Sequence, residues 1–311
     1  MSHRVGVIVR TKDRPYFLAR ALGDIAAQSF PDAEVVVVND RGDREQVAAT
    51  VAASPIADRV RIVDVSEPGG RCFAANTGIR ATGAPYVVLH DDDDLWHPDF
   101  LARTVEYLDA HPNDGGVMVP TDIVYEKQHG GVWKEVSRAP FWAGMTSVTF
   151  LALLQINRAV PISFLYRREI HDEIGMYDES LEAVEDWDLY LRISERFAIG
   201  FLEGDALAFW TQRPSGRGAD GNSMFELSSA HRRDDILVRD RALRSWSASN
   251  GPGLPLYIAY LHEQLRAEFT SELEARLDRQ REQIVAEIYD RHPLWRRLRR
   301  IRSVFARSRR G

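Results

Sequence analysis

The sequence predicts an α/β fold with a mainly parallel sheet flanked by helices and a helical C-terminal extension. Three observations carry that expectation. Short β-branched runs alternate with helical patterns over residues 5–110, and those runs are apolar at successive positions, as in strands buried on both faces. Beyond residue 256 the chain turns to dense mixed charge with an apolar residue at every fourth position. At 311 residues the chain exceeds the usual single-domain size, so one core of roughly 200 to 240 residues and a smaller appendage are expected.

The first run is VGVIVR at 5–10. A helical pattern follows, with Phe17, Leu18, Ala21, Leu22 and Ile25 at its apolar positions, and then EVVVVN at 34–39 completes a β-α-β unit. A helix near 43–53, the strand RVRIVDV at 59–65, a helix over about 72–81 and the strand YVVLH at 86–90 continue the alternation. Ligands of such sheets bind beyond the carboxyl ends of the strands. That rule singles out Thr11, Lys12 and Asp13, then Asn39, Asp40 and Arg41, then Asp91, Asp92, Asp93 and Asp94.

A helix over 98–110 opens with Pro98, whose fixed φ suits a first turn. Segments 116–126 and 131–137 read as a hairpin across Gly130 and Gly131. A helix at about 146–157, the strand PISFLYR at 161–167, a short helix ending at Ile174, a helix over 185–196 and a strand pair near 198–210 come next. RPSGRGADGNS at 213–223 has loop composition, and 224–245 returns to helix. From 256 to 290, Leu261, Leu265, Phe269, Leu273, Leu277, Ile284 and Ile288 mark a long amphipathic helix. A four-residue step is not a sustained heptad, so packing on the preceding domain, a homo-oligomeric contact and a coiled coil all stay open.

The formal net charge of -6 suggests no general affinity for nucleic acid, but the balance is uneven. Residues 291–311 hold nine Arg and no acidic residue, leaving 31 basic against all 46 acidic residues in the rest of the chain. Cys72 is the only cysteine, which excludes an internal disulfide and a cysteine zinc site and fits a reducing compartment. The opening residues carry no signal-peptide pattern, and no run reaches about 18 apolar residues. A cytoplasmic protein is the expectation, peripheral on the inner face of the cell membrane if the basic end binds lipid.

HDDDDLW at 90–96 sets four carboxylates where a strand opens to solvent. Adjacent like charges repel. A divalent ion held by one or two carboxylates and a substrate diphosphate would offset that repulsion, while a solvated turn capping the next helix is the plainer alternative. In order along the chain stand VGVIVRT, VVVVND, GGRCFAANTGI and VVLHDDDDLW. This combination resembles the family 2 glycosyltransferases, inverting enzymes with the GT-A (Rossmann-like) fold, over about residues 5–212. The resemblance implies that Thr11 and Asp40 contact the nucleotide, Asp40 accepting from the base. It implies that Arg71, Asn76 and Asp92 line the nucleotide-sugar site, and that Asp91 and Asp93 form the Asp-x-Asp pair for Mg²⁺ or Mn²⁺. Read singly, Thr11 as a helix cap, Asp40 as a turn residue and Asn76 as a brace are the simpler accounts. Lys12 and Asp13 stand where many relatives have Tyr-Asn or similar residues, which weakens the expectation of an aromatic stacked on the base.

MYDESLEAVEDWDLYLR at 176–192 resembles the same family's catalytic segment. Inverting transfer needs one base to take the acceptor proton. The resemblance implies Asp186 for that role with Glu185 as its partner, although carboxylates in a first helical turn also complement the helix dipole. Trp187 is expected to pack beside the site. The chain departs from the family at LAFWTQR, 207–213, where Arg213 stands in place of a metal- or diphosphate-binding His. An Arg there suits a diphosphate directly. The Gly-rich 214–222 segment reads as a lid over the donor or as a plain connector.

These readings divide the chain into a catalytic domain at 1–245, a helical extension at 246–290 and a basic amphipathic tail at 291–311. Within the first, 1–115 is the nucleotide-sugar half and 116–245 the acceptor half. In the tail, Leu294, Leu298, Ile301 and Phe305 share a face opposite Arg residues, which fits an anionic membrane surface, docking on the acidic body, or a free tail. The expected partners are a nucleotide-sugar donor and a glycan or lipid-linked glycan acceptor of a bacterial surface polysaccharide. Two rivals remain. A sugar-1-phosphate nucleotidyltransferase would carry a Gly-rich signature at the first strand, which VGVIVRTKDRP lacks. A non-catalytic scaffold assembled through 256–290 would not need both carboxylate groups.

Overall fold

The computed structural model describes residues 3–66, 68–214, 216, 221 and 228–291. Its first half runs β1 (Val5–Thr11), α1 (Pro15–Ala26), β2 (Ala33–Asn39), α2 (Arg44–Ala52), β3 (Val60–Asp64), α3 (Arg71–Ala81), β4 (Tyr86–Asp91), β5 (Leu95–Trp96) and α4 (Phe100–Ala110). The second runs β6 (Asp114–Met118), β7 (Thr121–His129), β8 (Val132–Pro140), α5 (Phe150–Gln155), β9 (Phe164–Arg167), α6 (Ile170–Ile174), α7 (Glu185–Ser194), β10 (Ala198–Phe201), β11 (Ala208–Gln212), α8 (Ser228–Asn250) and α9 (Gly253–Arg291).

Every residue of β1 is buried, and its alternation feeds two cores. Val5, Val7 and Val9 meet Leu18 and Leu22 of α1 and Leu101 and Val105 of α4 on one face. Ile8 meets Ala75 and Ile79 of α3 and Leu189 of α7 on the other. Each of these Val, Leu and Ile side chains contributes about 1.5–3 kcal/mol by leaving water. α3 lies close on the strand because Gly78 faces Ile8, where a Cβ would collide with the isoleucine side chain. The helices start as their sequences direct: Pro15 opens α1, and Asp43 caps α2 by accepting from the N–H groups of Glu45 and Gln46.

A seven-stranded sheet has the order β10-β6-β9-β4-β1-β2-β3. β9 runs antiparallel to both neighbours, β4 and β6. The other pairings in that sheet are parallel, so β1, β2, β4, β6 and β10 end at one edge. A second sheet, β5-β11-β7-β8, stands beyond. The chain passes from the large sheet to the small one three times, always at that edge: after β4 through residues 92–94, after β6 through Val119 and Pro120, and after β10 through residues 202–207.

These passages correct two expectations. The single strand expected over 116–126 is two strands in different sheets, separated where Pro120 offers no N–H. The pair expected near 198–210 is likewise divided, β10 joining β6 and β11 joining β7. The hairpin across Gly130 and Gly131 forms as β7 and β8, both glycines adopting positive φ.

The chain separates into two units, Met1–Val238 and Arg239–Gly311. The first holds both sheets. In the second, α9 leaves Leu256, Leu265 and Phe269 two-thirds exposed. Successive turns of about 100° per residue carry a four-residue repeat some 40° around the axis at each step. The apolar residues from Leu261 to Leu277 therefore wind over the helix instead of forming one face. No helix among the described residues is long and apolar enough to cross a membrane. The basic tail beyond Arg291 and most of the 214–222 segment lie outside the described residues.

Candidate functional site

Alternation along β1 places Arg10 on the face of Ile8, toward α3 and α7. Its guanidinium, 7% exposed, donates from Nε and Nη2 to Oδ1 of Asp91 at 2.8 and 2.6 Å, and Nη1 lies 3.5 Å from Glu185. One buried arginine thus joins the acidic turn after β4 to the start of α7. A charge ending an otherwise apolar strand was the only sequence signal for it, since a buried charge requires a partner.

The acidic turn is neutralised by arginines. Arg14 donates to Asp92 at 2.8 Å and to Asp93 at 2.9 Å, and Arg213 donates to Asp93 and lies 3.3 Å from Glu126. Asp92 also accepts from Thr11 Oγ1 at 2.8 Å, and Asp94 accepts the Thr211 N–H at 2.8 Å. Burial alone would raise Asp93, but Arg14 and Arg213 hold it below the usual carboxylate range. Asp92, buried and beside two more carboxylates, is pushed up to about 7 despite Arg14. Burial likewise holds Asp94 well above its ordinary value. The repulsion that suggested a divalent ion is met by guanidiniums. Among the described residues no three His, Cys, Asp or Glu side chains converge as a metal site.

Arg213 itself is fully enclosed, 4.4 Å over the ring of Phe17. It holds Asp93 in place rather than facing solvent where a diphosphate would arrive. Asn76 is also occupied: its Nδ2 donates to Tyr177 O at 3.0 Å and Glu179 Oε1 at 2.8 Å, and its Oδ1 accepts the Tyr177 N–H at 3.0 Å. That full engagement gives it a bracing role, tying α3 to the segment before α7. Asp40 faces the edge more openly and accepts the Gly70 N–H at 2.9 Å. Arg71, at the start of α3, donates to Glu182 O at 2.8 Å and Glu185 Oε2 at 3.1 Å.

Glu185 and Asp186 begin α7. Val184 before them holds φ 54° and ψ 19°, a left-handed conformation costly for a β-branched residue. Among the described non-glycine residues only Asp13, Arg41 and Val184 have positive φ, and all three adjoin this strand-end edge. The turn is fastened from α8, where Asp234 accepts the N–H groups of Glu182 and Ala183 at 2.8 and 3.0 Å. Trp187 is a packing residue, 2% exposed, with its Nε1 donating to Leu153 O at 2.7 Å.

The two carboxylates differ in charge state. Burial would raise Glu185, but Arg71 and Arg10 outweigh it and hold the group ionised below its ordinary range. Asp186 is pushed up to about 7 by burial first and by Glu185 second. Neutral donors oppose that rise: Asn157 Nδ2 at 2.9 Å and the Trp187 N–H at 2.8 Å. A carboxylate poised near neutrality is suited to general-base work. No sequence pattern announces Arg14, Glu126, Asn157 or Asp234, whose roles arise from contacts between distant segments.

The described geometry accords with the relatives found by comparison. Residues 3–216 match the family model "Glycosyltransferase like family 2". An uncharacterized glycosyltransferase of Bacillus subtilis, YwdF, is 27% identical over 63% of this chain and 70% of its own length. Staphylococcus aureus TarS 1-349, solved in complex with UDP-GlcNAc, matches 70% of this chain with a TM-score of 0.56 at 21% identity. Mannosyltransferase PcManGT from Pyrobaculum calidifontis, solved with GDP-Man and Mn²⁺, matches 70% with a TM-score of 0.51, also at 21%. The matched regions span 60% and 59% of those two solved chains. At that identity the two structures establish the shared GT-A architecture.

Proposed function

Because the chain belongs to the glycosyltransferase-like family 2, we propose that it transfers a sugar with inversion from a UDP- or dTDP-linked donor to an acceptor hydroxyl in bacterial surface-glycan synthesis. The observation that carries the mechanism is Asp186 near pH 7, beside a Glu185 tied through Arg10 to the acidic turn. Asp186 takes the acceptor proton as the acceptor oxygen bonds to the anomeric carbon. The bond from that carbon to the diphosphate oxygen breaks on the opposite face, its electron pair leaving with the nucleotide. Ionised Glu185 makes Asp186 more basic and anchors Arg71, which with Arg14 is open enough to meet diphosphate charge. Asp40 faces the nucleotide and accepts from the base, while buried Thr11 holds Asp92 at the same edge.

Mg²⁺ or Mn²⁺ would take Asp91 and Asp93 as oxygen ligands. The residues as arranged do not fit that ion, since a dication at Asp93 would lie against the two guanidiniums already on its carboxylate. Every step above is therefore assigned to the chain's own groups.

Calorimetric titration of the full chain with UDP, dTDP, GDP and ADP, each with Mn²⁺ and with EDTA, tests both parts. The expected result is UDP or dTDP binding that survives EDTA. Binding that requires Mn²⁺ would restore Asp91 and Asp93 as metal ligands and overturn the arginine assignment. Folded protein that binds no nucleotide would overturn the transferase reading and favour a scaffold.

A further inference from the structure

A cavity of about 490 Å³ opens between the passages after β6 and β10, within the range of about 300–1,000 Å³ usual for small-molecule sites. It lies on the same strand-end edge as the acidic turn, farther along the sheet. Its walls include Asp122, Phe141, Trp142, Arg158, Glu203 and Asp205.

Three features give this cavity a chemistry. Trp142 and Phe141 supply aromatic surface, their ring centroids 5.5 Å apart, and the Arg158 guanidinium stands 4.4 Å over the Trp142 ring. The Trp142 Nε1 and Arg158 Nε atoms are themselves enclosed, so this wall presents ring surface and a guanidinium charge rather than those two N–H groups. On the far side Glu203 and Asp205 are exposed carboxylates that can accept from hydroxyls. Aromatic surface and hydroxyl-accepting carboxylates around one cavity match a pyranose ring, and with Asp122 3.7 Å from Arg138, Glu203 and Asp205 outnumber Arg158 and disfavour an anionic one.

The cavity wall is also joined to the proposed base through the chain. Asn157, which donates to Asp186 at 2.9 Å, is followed directly by Arg158 and Ala159, both on the cavity wall. We propose that this cavity is an acceptor subsite for an uncharged, hydroxyl-rich sugar ring, with the Trp142 face opposite Arg158 as its stacking platform. The inference rests on the glycosyltransfer reading.

The test follows the ¹⁵N indole resonance of Trp142, assigned by its loss in Trp142→Phe, as the full chain is titrated with methyl β-glucopyranoside, methyl N-acetyl-β-glucosaminide or methyl β-glucuronide. The neutral glycosides are expected to shift it, the glucuronide far less. Trp142→Ala should weaken their binding, followed by saturation-transfer NMR, about tenfold while UDP binding is retained. Asp205→Asn, on an exposed loop residue, should weaken it without touching the fold. Retained UDP binding with no shift from any glycoside would overturn the subsite alone, and a shift from the glucuronide alone would overturn its preference for uncharged rings. Lost UDP binding in wild type would instead overturn the transferase reading beneath it.

Discussion

Two groups of adjacent carboxylates face the same sheet edge, and arginines are shared out differently between them. In the turn after β4, guanidiniums reach Asp91, Asp92 and Asp93, so the cluster is held as a rigid, largely neutral block. At the start of α7 both guanidiniums, from Arg10 and Arg71, go to Glu185, and Asp186 receives only the neutral donors Asn157 and the Trp187 N–H. A full positive charge fixes an anion, whereas neutral donors leave it titratable. Asp92 also rises to about 7, but it is enclosed among other carboxylates and anchored by Thr11, so its proton relieves crowding. Asp186 bonds Asn157, the residue before the cavity-lining Arg158, so in the proposed transfer it is the member placed to exchange a proton with an acceptor.

Replacing the titratable member should give the largest effect. Asp186→Asn is expected to lower kcat by about 10²- to 10⁴-fold with nucleotide binding unchanged by calorimetry; near-normal turnover would dissolve the contrast between the clusters. The raised carboxyl of Asp186 favours the folded state at low pH and loses that contribution as pH climbs through about 7. The same substitution should therefore raise Tm more at pH 8 than at pH 5, by a few degrees. The wild-type rate should climb with pH through about 7 as Asp186 ionises.

Removing the neighbouring charge sharpens the contrast. Glu185→Gln should move that acid limb to lower pH, raising the ratio of kcat at pH 6 to kcat at pH 8 by about three- to tenfold. An unmoved limb would mean that burial alone sets Asp186. The smallest change comes from the neutral donor. Asn157→Ala should move the limb to higher pH and lower kcat at pH 7 about threefold, with the plateau at high pH little altered.

The large sheet was legible because its strands are continuous β-branched runs separated by helical periodicity; β1, β2 and β4 lie within a residue or two of where their composition puts them. The small sheet was not. β6 and β7 are separated only by Val119 and Pro120 and read as one run, and nothing in residues 198–212 indicates that consecutive strands join different sheets. The carboxylates of the site stood out because like charges rarely cluster without cause. Their partners did not: Arg14 and Asn157 sit in loops, and Asp234 belongs to a helix far along the chain. The metal expectation rested on that repulsion, and the guanidiniums that meet it were hidden for the same reason: they come from β1, the loop after it and the end of β11.

The three passages between the sheets differ in their freedom to change. The first is all carboxylates bonded to neighbouring strands, and the second is two residues long and stiffened by proline. Only the third, through residues 202–207, has length and exposed side chains, Glu203 and Asp205 among them. Insertions and substitutions accumulate where backbone is exposed and unpaired. Under the proposed acceptor subsite, rewriting this one joint would change which ring the cavity admits while the strands of the large sheet stay as they are.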